Sequence, residues 1–145
     1  MLLFMELDPV LAPFDPLAGA WTTEATHPML PGVVVQGTAT YEWLGGKFLV
    51  ERSTTQHPQF PDAVKVFGPD DDGVRVDYFD ERGVTRVYRA AVEDGRLRMW
   101  RDEPGFRQRI DLPLGGDVIE GAWELDRGEG FKPDLAIAYR RRAGG

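Results

Sequence analysis

Two histidines are present, and both stand in the same setting: His27-Pro28-Met29-Leu30-Pro31 and His57-Pro58-Gln59-Phe60-Pro61. An imidazole at the edge of a pocket can contact a ligand, carry a proton or ligate a metal. The plain reading of each motif is a strand end, with prolines stiffening the loop that follows. A metal centre would have to draw further ligands from Asp80 or Asp102, and the spacing matches no recognised ligand set. Asp80-Glu81-Arg82-Gly83 and Arg101-Asp102 each place opposite charges side by side. Each can be an exposed ion pair of little worth, or part of a rim that receives a polar or anionic ligand.

Other chemistries have little support. Ser53 is the only serine and lies in no G-x-S-x-G elbow. The absence of cysteine excludes a thiol nucleophile, a disulfide scaffold and a zinc finger. No glycine cluster opens a helix to cradle phosphate. Asp70-Asp71-Asp72-Gly73 lacks the spacing and the terminal glutamate of a calcium loop and reads as a solvated turn. No catalytic residue and no metal ligand is assigned.

The charge of −7 over 145 residues argues against a general grip on nucleic acid, which needs a positive field. Within that balance, 14 of the 17 basic residues are arginine, and asparagine is absent. Codon bias accounts for this most simply; arginines lining a pocket would account for it functionally. The apolar start, Met1–Met5, has no basic leader and runs into Glu6 and Asp8. No stretch approaches the roughly 18 apolar residues of a membrane span. A cytoplasmic protein is expected.

The elements that must position these residues are short. Asp8-Pro9 and Asp15-Pro16 each put a capping acceptor before a proline suited to the first helical position, so 1–18 reads as helical turns. From 19 to 142 the pattern is alternating runs broken by turn chemistry, with 143–145 left as a tail. Ten strands are predicted: 19–27, 34–44, 47–56, 62–68, 74–80, 84–93, 96–101, 106–112, 117–126 and 134–142. Gly45-Gly46, Asp71-Asp72-Gly73, Asp94-Gly95 and Gly115-Gly116 are hairpin turns. In an up-and-down meander these four even-numbered connections share one end, and the longer odd-numbered loops share the other. The expected fold is therefore all-β: an up-and-down antiparallel barrel of about ten strands with a short N-terminal helical plug, closed so that no edge is exposed.

Leu17-Ala18-Gly19-Ala20-Trp21, a G-x-W after a helical turn, resembles the start of the calycin superfamily of lipocalins and fatty-acid-binding proteins. Trp43-Leu44-Gly45-Gly46-Lys47-Phe48-Leu49-Val50, Tyr78-Phe79-Asp80-Glu81-Arg82-Gly83, Phe106-Arg107-Gln108-Arg109 and Trp123-Glu124 extend the resemblance to small bacterial calycin-like barrels. It implies that Trp21 packs across the barrel base beneath an arginine of the last strand, for which Arg140, Arg141 and Arg142 are candidates. The chain is also distantly similar to nitrobindin, a ten-stranded haem-binding calycin whose iron is held by a histidine near the C-terminus. This chain has no histidine after His57, so only a rim histidine could hold haem, and no cofactor is expected.

Alternation puts Arg86 with Tyr88 and Gln108 with Phe106 and Ile110, while Arg52 falls in step with Phe48 and Val50. If apolar parity marks the inside, Arg52, Tyr78, Tyr88 and Gln108 face in. An inward arginine needs a partner, for which Glu42, Asp77 and Glu124 are available. The candidate ligand contacts are His27, His57, Arg52, Tyr78, Arg82, Arg86, Tyr88, Arg101 and Gln108. The leading reading is binding of a small apolar or amphipathic molecule, with its tail in the barrel and its polar or anionic head at the His/Arg rim. The alternative is an isomerase- or cyclase-type enzyme moving a proton with a rim histidine or interior carboxylate. A third is haem or metal binding at a rim histidine. An apolar strip left on an outer strand would point to a homodimer.

Overall fold

The computed structural model describes residues 5–143; the apolar opening residues 1–4 and tail residues 144–145 lie outside it. A 3-10 helix, Ala12–Leu17, precedes ten strands: β1 (Gly19–Thr26), β2 (Val35–Leu44), β3 (Phe48–Thr55), β4 (Ala63–Asp70), β5 (Gly73–Asp80), β6 (Thr85–Glu93), β7 (Arg96–Glu103), β8 (Phe106–Pro113), β9 (Val118–Asp126) and β10 (Phe131–Arg141). Each pairs antiparallel with its chain neighbours, and β1 pairs with β10 to close the barrel. No helix among the described residues is long and apolar enough to cross a membrane.

The period-2 pattern decides which side chains enter. In β1, Trp21, Thr23 and Ala25 are buried, while Thr22, Glu24 and Thr26 face water. Turn chemistry then reverses each strand: Asp94 and Gly95 have φ of 52° and 72°, the pair of positive values a two-residue hairpin requires. The sorting of connections is looser than the glycine pattern suggests. At the odd-numbered end, Pro104-Gly105 alone joins β7 to β8, and at the other end 114–117 is an open loop. β10 also starts earlier than expected, because a bulge between Pro133 and Ala136 lets one strand accommodate its proline and re-aim Asp134.

The even-numbered end is sealed by the N-terminal segment. Pro13 and Pro16 keep it to one short 3-10 stretch, from which Phe14 and Leu17, with Leu11 just before it, are buried in the core. Neither predicted cap begins this helix. The Asp8 carboxylate accepts the Val10 N–H in the preceding turn, and Asp15, inside the helix, accepts from Trp43 Nε1 at 2.9 Å. Trp21 is fully buried and donates from Nε1 to the Leu17 carbonyl. The Arg141 guanidinium carbon lies 4.1 Å from the Trp21 ring centroid, and its nitrogens donate to the Ala18 and Pro16 carbonyls. Of the three candidate arginines, Arg141 therefore makes the stack; it shares parity with inward-facing Tyr139.

Candidate functional site

The sealed half of the barrel is filled by Phe14, Trp21, Tyr41, Phe67 and Tyr139, with neighbouring rings about 6 Å apart in tilted or edge-on contacts (5.9 Å for Phe14–Phe67). Toward the loop-rich end the interior opens into a cavity of about 170 Å³. Side-chain size explains why it opens there. On β1–β4 many of the inward positions are small, among them Thr23, Ala25, Gly37, Ala39, Ser53 and Ala63. Opposite them, β5–β8 present Val76, Tyr88, Met99 and Ile110. Gly37 has no room for a side chain against the Thr54 carbonyl, so this wall is also drawn close.

A charged pair lies in the cavity wall. Glu51 on β3, with 2 % exposure, sits directly opposite Lys65 on β4, and their side chains meet at 3.0 Å. Burial, the largest single effect, depresses the lysine, but the charge and hydrogen bond of Glu51 together with Tyr139 and Tyr88 more than offset it and hold the ammonium above the ordinary lysine range. Tyr41, opposite Glu51 on β2, is raised well above its usual value by burial first and by the Glu51 charge second. The same two causes push Tyr139 up to about 12. The interior thus holds one ionised pair beside neutral phenols.

Tyr78 lines the cavity and donates to Asp80 Oδ2 at 2.8 Å. Arg82 donates to that same oxygen at 2.7 Å, and Asp80 Oδ1 accepts the Arg82 and Val84 backbone N–H groups. This fork, chiefly the Arg82 bond, holds the Asp80 carboxyl well below the usual range. Tyr88 is buried and donates to Gln108 Oε1 at 3.0 Å. Arg86 lies over the Tyr78 and Phe106 rings, and Arg101 over Phe106. Tyr78, Arg82, Arg86, Tyr88, Arg101 and Gln108 thus form one connected group on β5–β8 and the loop between β5 and β6.

The two histidines occupy the same end. In each motif the histidine carbonyl accepts the N–H three residues on, and Nδ1 accepts the N–H two residues on: Met29 at 3.0 Å and Gln59 at 3.2 Å. His27 Nε2 reaches Asp134 Oδ1 at 2.7 Å. His57 packs edge-on against Phe60, which lines the cavity. Among the described residues no three His, Asp or Glu side chains converge as metal ligands.

Arg52 must be moved from the interior. It is exposed on the outer wall with Phe48 and Val50, because Leu49, Glu51 and Ser53 take the inward parity. The expected partners of inward arginines are also outside: Asp77 pairs with Arg75 and Glu124 with Arg109. Glu51, Lys65, Tyr139, Asp134 and Arg127 were not singled out by the sequence reading. Complementary charges at inward parity on adjacent strands, Glu51 between Leu49 and Ser53 and Lys65 between Ala63 and Phe67, are the signal that could have found the first two. A larger groove, about 430 Å³, lies on the outer wall beside Arg98, Trp100, Arg109 and Glu124. It follows the seam where β8 and β9 pair only between Arg107–Arg109 and Glu124–Asp126, and none of the candidate residues reaches it.

No protein-family model matches the chain, and no curated protein matches it. Among solved structures it is similar to the crystal structure of Rv2717c from M. tuberculosis, at 16% sequence identity and a TM-score of 0.69. The match covers 94% of this chain and 99% of that one, and it is a likeness of fold.

Proposed function

We propose that this protein is a calycin-like barrel that binds one compact, ring-sized amphipathic molecule in its interior. The carrying observation is the cavity of about 170 Å³ with its mixed lining: Ala25, Val35, Trp123 and Ile137 beside Ser53, Thr55, Lys65 and Tyr78. Its volume is close to the roughly 150 Å³ that holds a benzene ring. It falls below the roughly 300–1,000 Å³ of pockets for larger ligands. The tail foreseen for the barrel is therefore a ring or short branched group, not a long acyl chain. The Trp21–Arg141 stack at the base supports the calycin-like reading.

Binding is favoured over proton-transfer catalysis because the cavity carboxylate, Glu51, is already neutralised by Lys65. A general base needs a carboxylate free to take the proton. Haem fits poorly: a ring-sized volume does not take a tetrapyrrole, and both nitrogens of His27 are engaged. The test is an NMR titration with phenol and, separately, with hexadecanoate. Phenol should shift the Trp123, Ile137 and Tyr78 resonances saturably, hexadecanoate should leave them in place, and Ser53→Phe should abolish the phenol response. An interior whose resonances ignore phenol overturns the reading.

A further inference from the structure

On the β6–β9 side of the rim, three cations crowd one aromatic ring. Phe106 opens β8, and around its centroid lie the guanidinium carbons of Arg86 at 5.4 Å, Arg127 at 5.5 Å and Arg101 at 5.8 Å. Arg86, Arg101 and Phe106 take the inward parity of their strands, as set by Tyr88, Met99 and Gln108, and Arg127 lies one residue beyond the end of β9. Arg86, Arg101 and Phe106 are half-buried, and Arg127 is exposed in the turn after β9.

Among the described residues none of these three arginines has a carboxylate at ion-pair distance. By contrast Arg75, Arg82, Arg89, Arg96 and Arg109 each have one. Glu103 shares the inward parity of Arg101 yet is exposed and pairs with none of them. In a chain of net charge −7, three guanidiniums gathered on one ring without an ion-pair partner are a local concentration of cationic donors. The negative face of Phe106 offsets part of their mutual repulsion, and an oxyanion would offset more through forked N–H donation. The cluster also adjoins the cavity, since Arg86 lies 5.8 Å from the Tyr78 ring centroid and Tyr78 lines the cavity wall.

We propose that Arg86, Arg101 and Arg127 form an oxyanion subsite at the mouth of the barrel, suited to the phosphate end of a ring-sized ligand. A phosphate monoester carries about −1.5 to −2 charges at neutral pH and so answers three cations better than a carboxylate does. The ring of that ligand rests on the cavity reading above; the anion does not, because inorganic phosphate needs only the rim.

The test is a low-salt NMR titration of the unaltered protein, following the arginine Nε–Hε signals. Its probes are inorganic phosphate, phenol, phenyl phosphate and benzoate. Phosphate should shift Arg86, Arg101 and Arg127 saturably while outer-wall Arg98 and Arg109 stay in place. Phenyl phosphate should bind about tenfold more tightly than phenol. Changing all three arginines to Gln should erase that advantage and leave phenol binding as it was. Benzoate matching phenyl phosphate would keep the subsite and assign it to carboxylates. Phosphate binding at the rim while phenol fails to enter leaves the subsite standing and defeats the cavity reading alone. Phosphate that shifts every exposed arginine alike, or none, overturns the subsite, as does phenyl phosphate binding no better than phenol.

Discussion

Glu51 and Lys65 face each other at 3.0 Å across β3 and β4, inside the barrel wall, with the carboxylate 2 % exposed. A buried pair of this kind is costly to halve. Glu51→Gln should leave the ammonium without its counter-charge and destabilise the fold by about 3–5 kcal/mol. Lys65→Met should do likewise to the carboxylate. The double variant should cost less than either single change, since it removes both charges from the interior. Urea unfolding at neutral pH reads this directly, provided the slope stays constant; additive single costs would show that the two groups do not interact.

The same pair sets an alkaline expectation. The folded lysine is held above its ordinary range, so its contribution is complete below the unfolded value of about 10.4 and is lost only as pH rises through the higher folded value. Between pH 8 and 10 the Lys65→Met variant should therefore show the same stability difference from the parent at every pH.

At the sealed end, Arg141 is held by one ring and two carbonyls. Arg141→Lys keeps the charge but cannot fork to both Ala18 and Pro16, and it should lose about 1–2 kcal/mol. Gly19→Ala should also destabilise: the position has φ of +126°, and an added Cβ would lie 2.9 Å from an Arg141 nitrogen. Chemical denaturation of both variants checks this. An unchanged midpoint in Arg141→Lys would show that the stack carries no stability.

These residues also show where sequence reading succeeds. Ten strands and their closure were legible because turn glycines and a period-2 pattern are local signals, whereas the tryptophan–arginine stack at the base was implied only by the resemblance carried by the G-x-W motif. Inward parity was harder, because polar residues enter this interior and apolar ones leave it. Phe48 and Val50 sit on the outer wall, so apolar parity led Arg52 inward and hid Glu51. Asp134 was invisible for another reason: its reach to His27 depends on a bulge in β10, a register event no residue pattern announces. The Phe106 cluster was half legible. Arg86 and Arg101 follow strand parity, whereas Arg127 lies beyond the end of β9, where alternation no longer fixes direction.

Asp80 gives an acid-side prediction. Its carboxyl is held below the usual range by Arg82, Tyr78 and two backbone N–H groups. A depressed folded value contributes stability above the unfolded value of about 3.9, lost as pH falls through the folded one. Asp80→Asn removes that contribution at all pH values. Its melting temperature should lie below the parent's at pH 6, and the gap should narrow as pH falls below about 4. A gap that stays constant to pH 2 would exclude this role.

The histidine loops offer a prediction independent of any ligand. Nδ1 of each ring accepts a backbone N–H, from Met29 and from Gln59, so it cannot itself carry a proton in the neutral ring. Both neutral histidines should therefore be Nε2–H tautomers, and in His27 that proton goes to Asp134. Long-range ¹⁵N–¹H spectra distinguish the tautomers, and an Nδ1–H form at either position would falsify the turn geometry. Asparagine can supply the same acceptor two residues from its N–H. His57→Asn should therefore keep most of the loop's stability, whereas His57→Ala should lose about 1 kcal/mol. At position 27 even asparagine should be costly, because it surrenders the bond to Asp134 that ties this loop to β10.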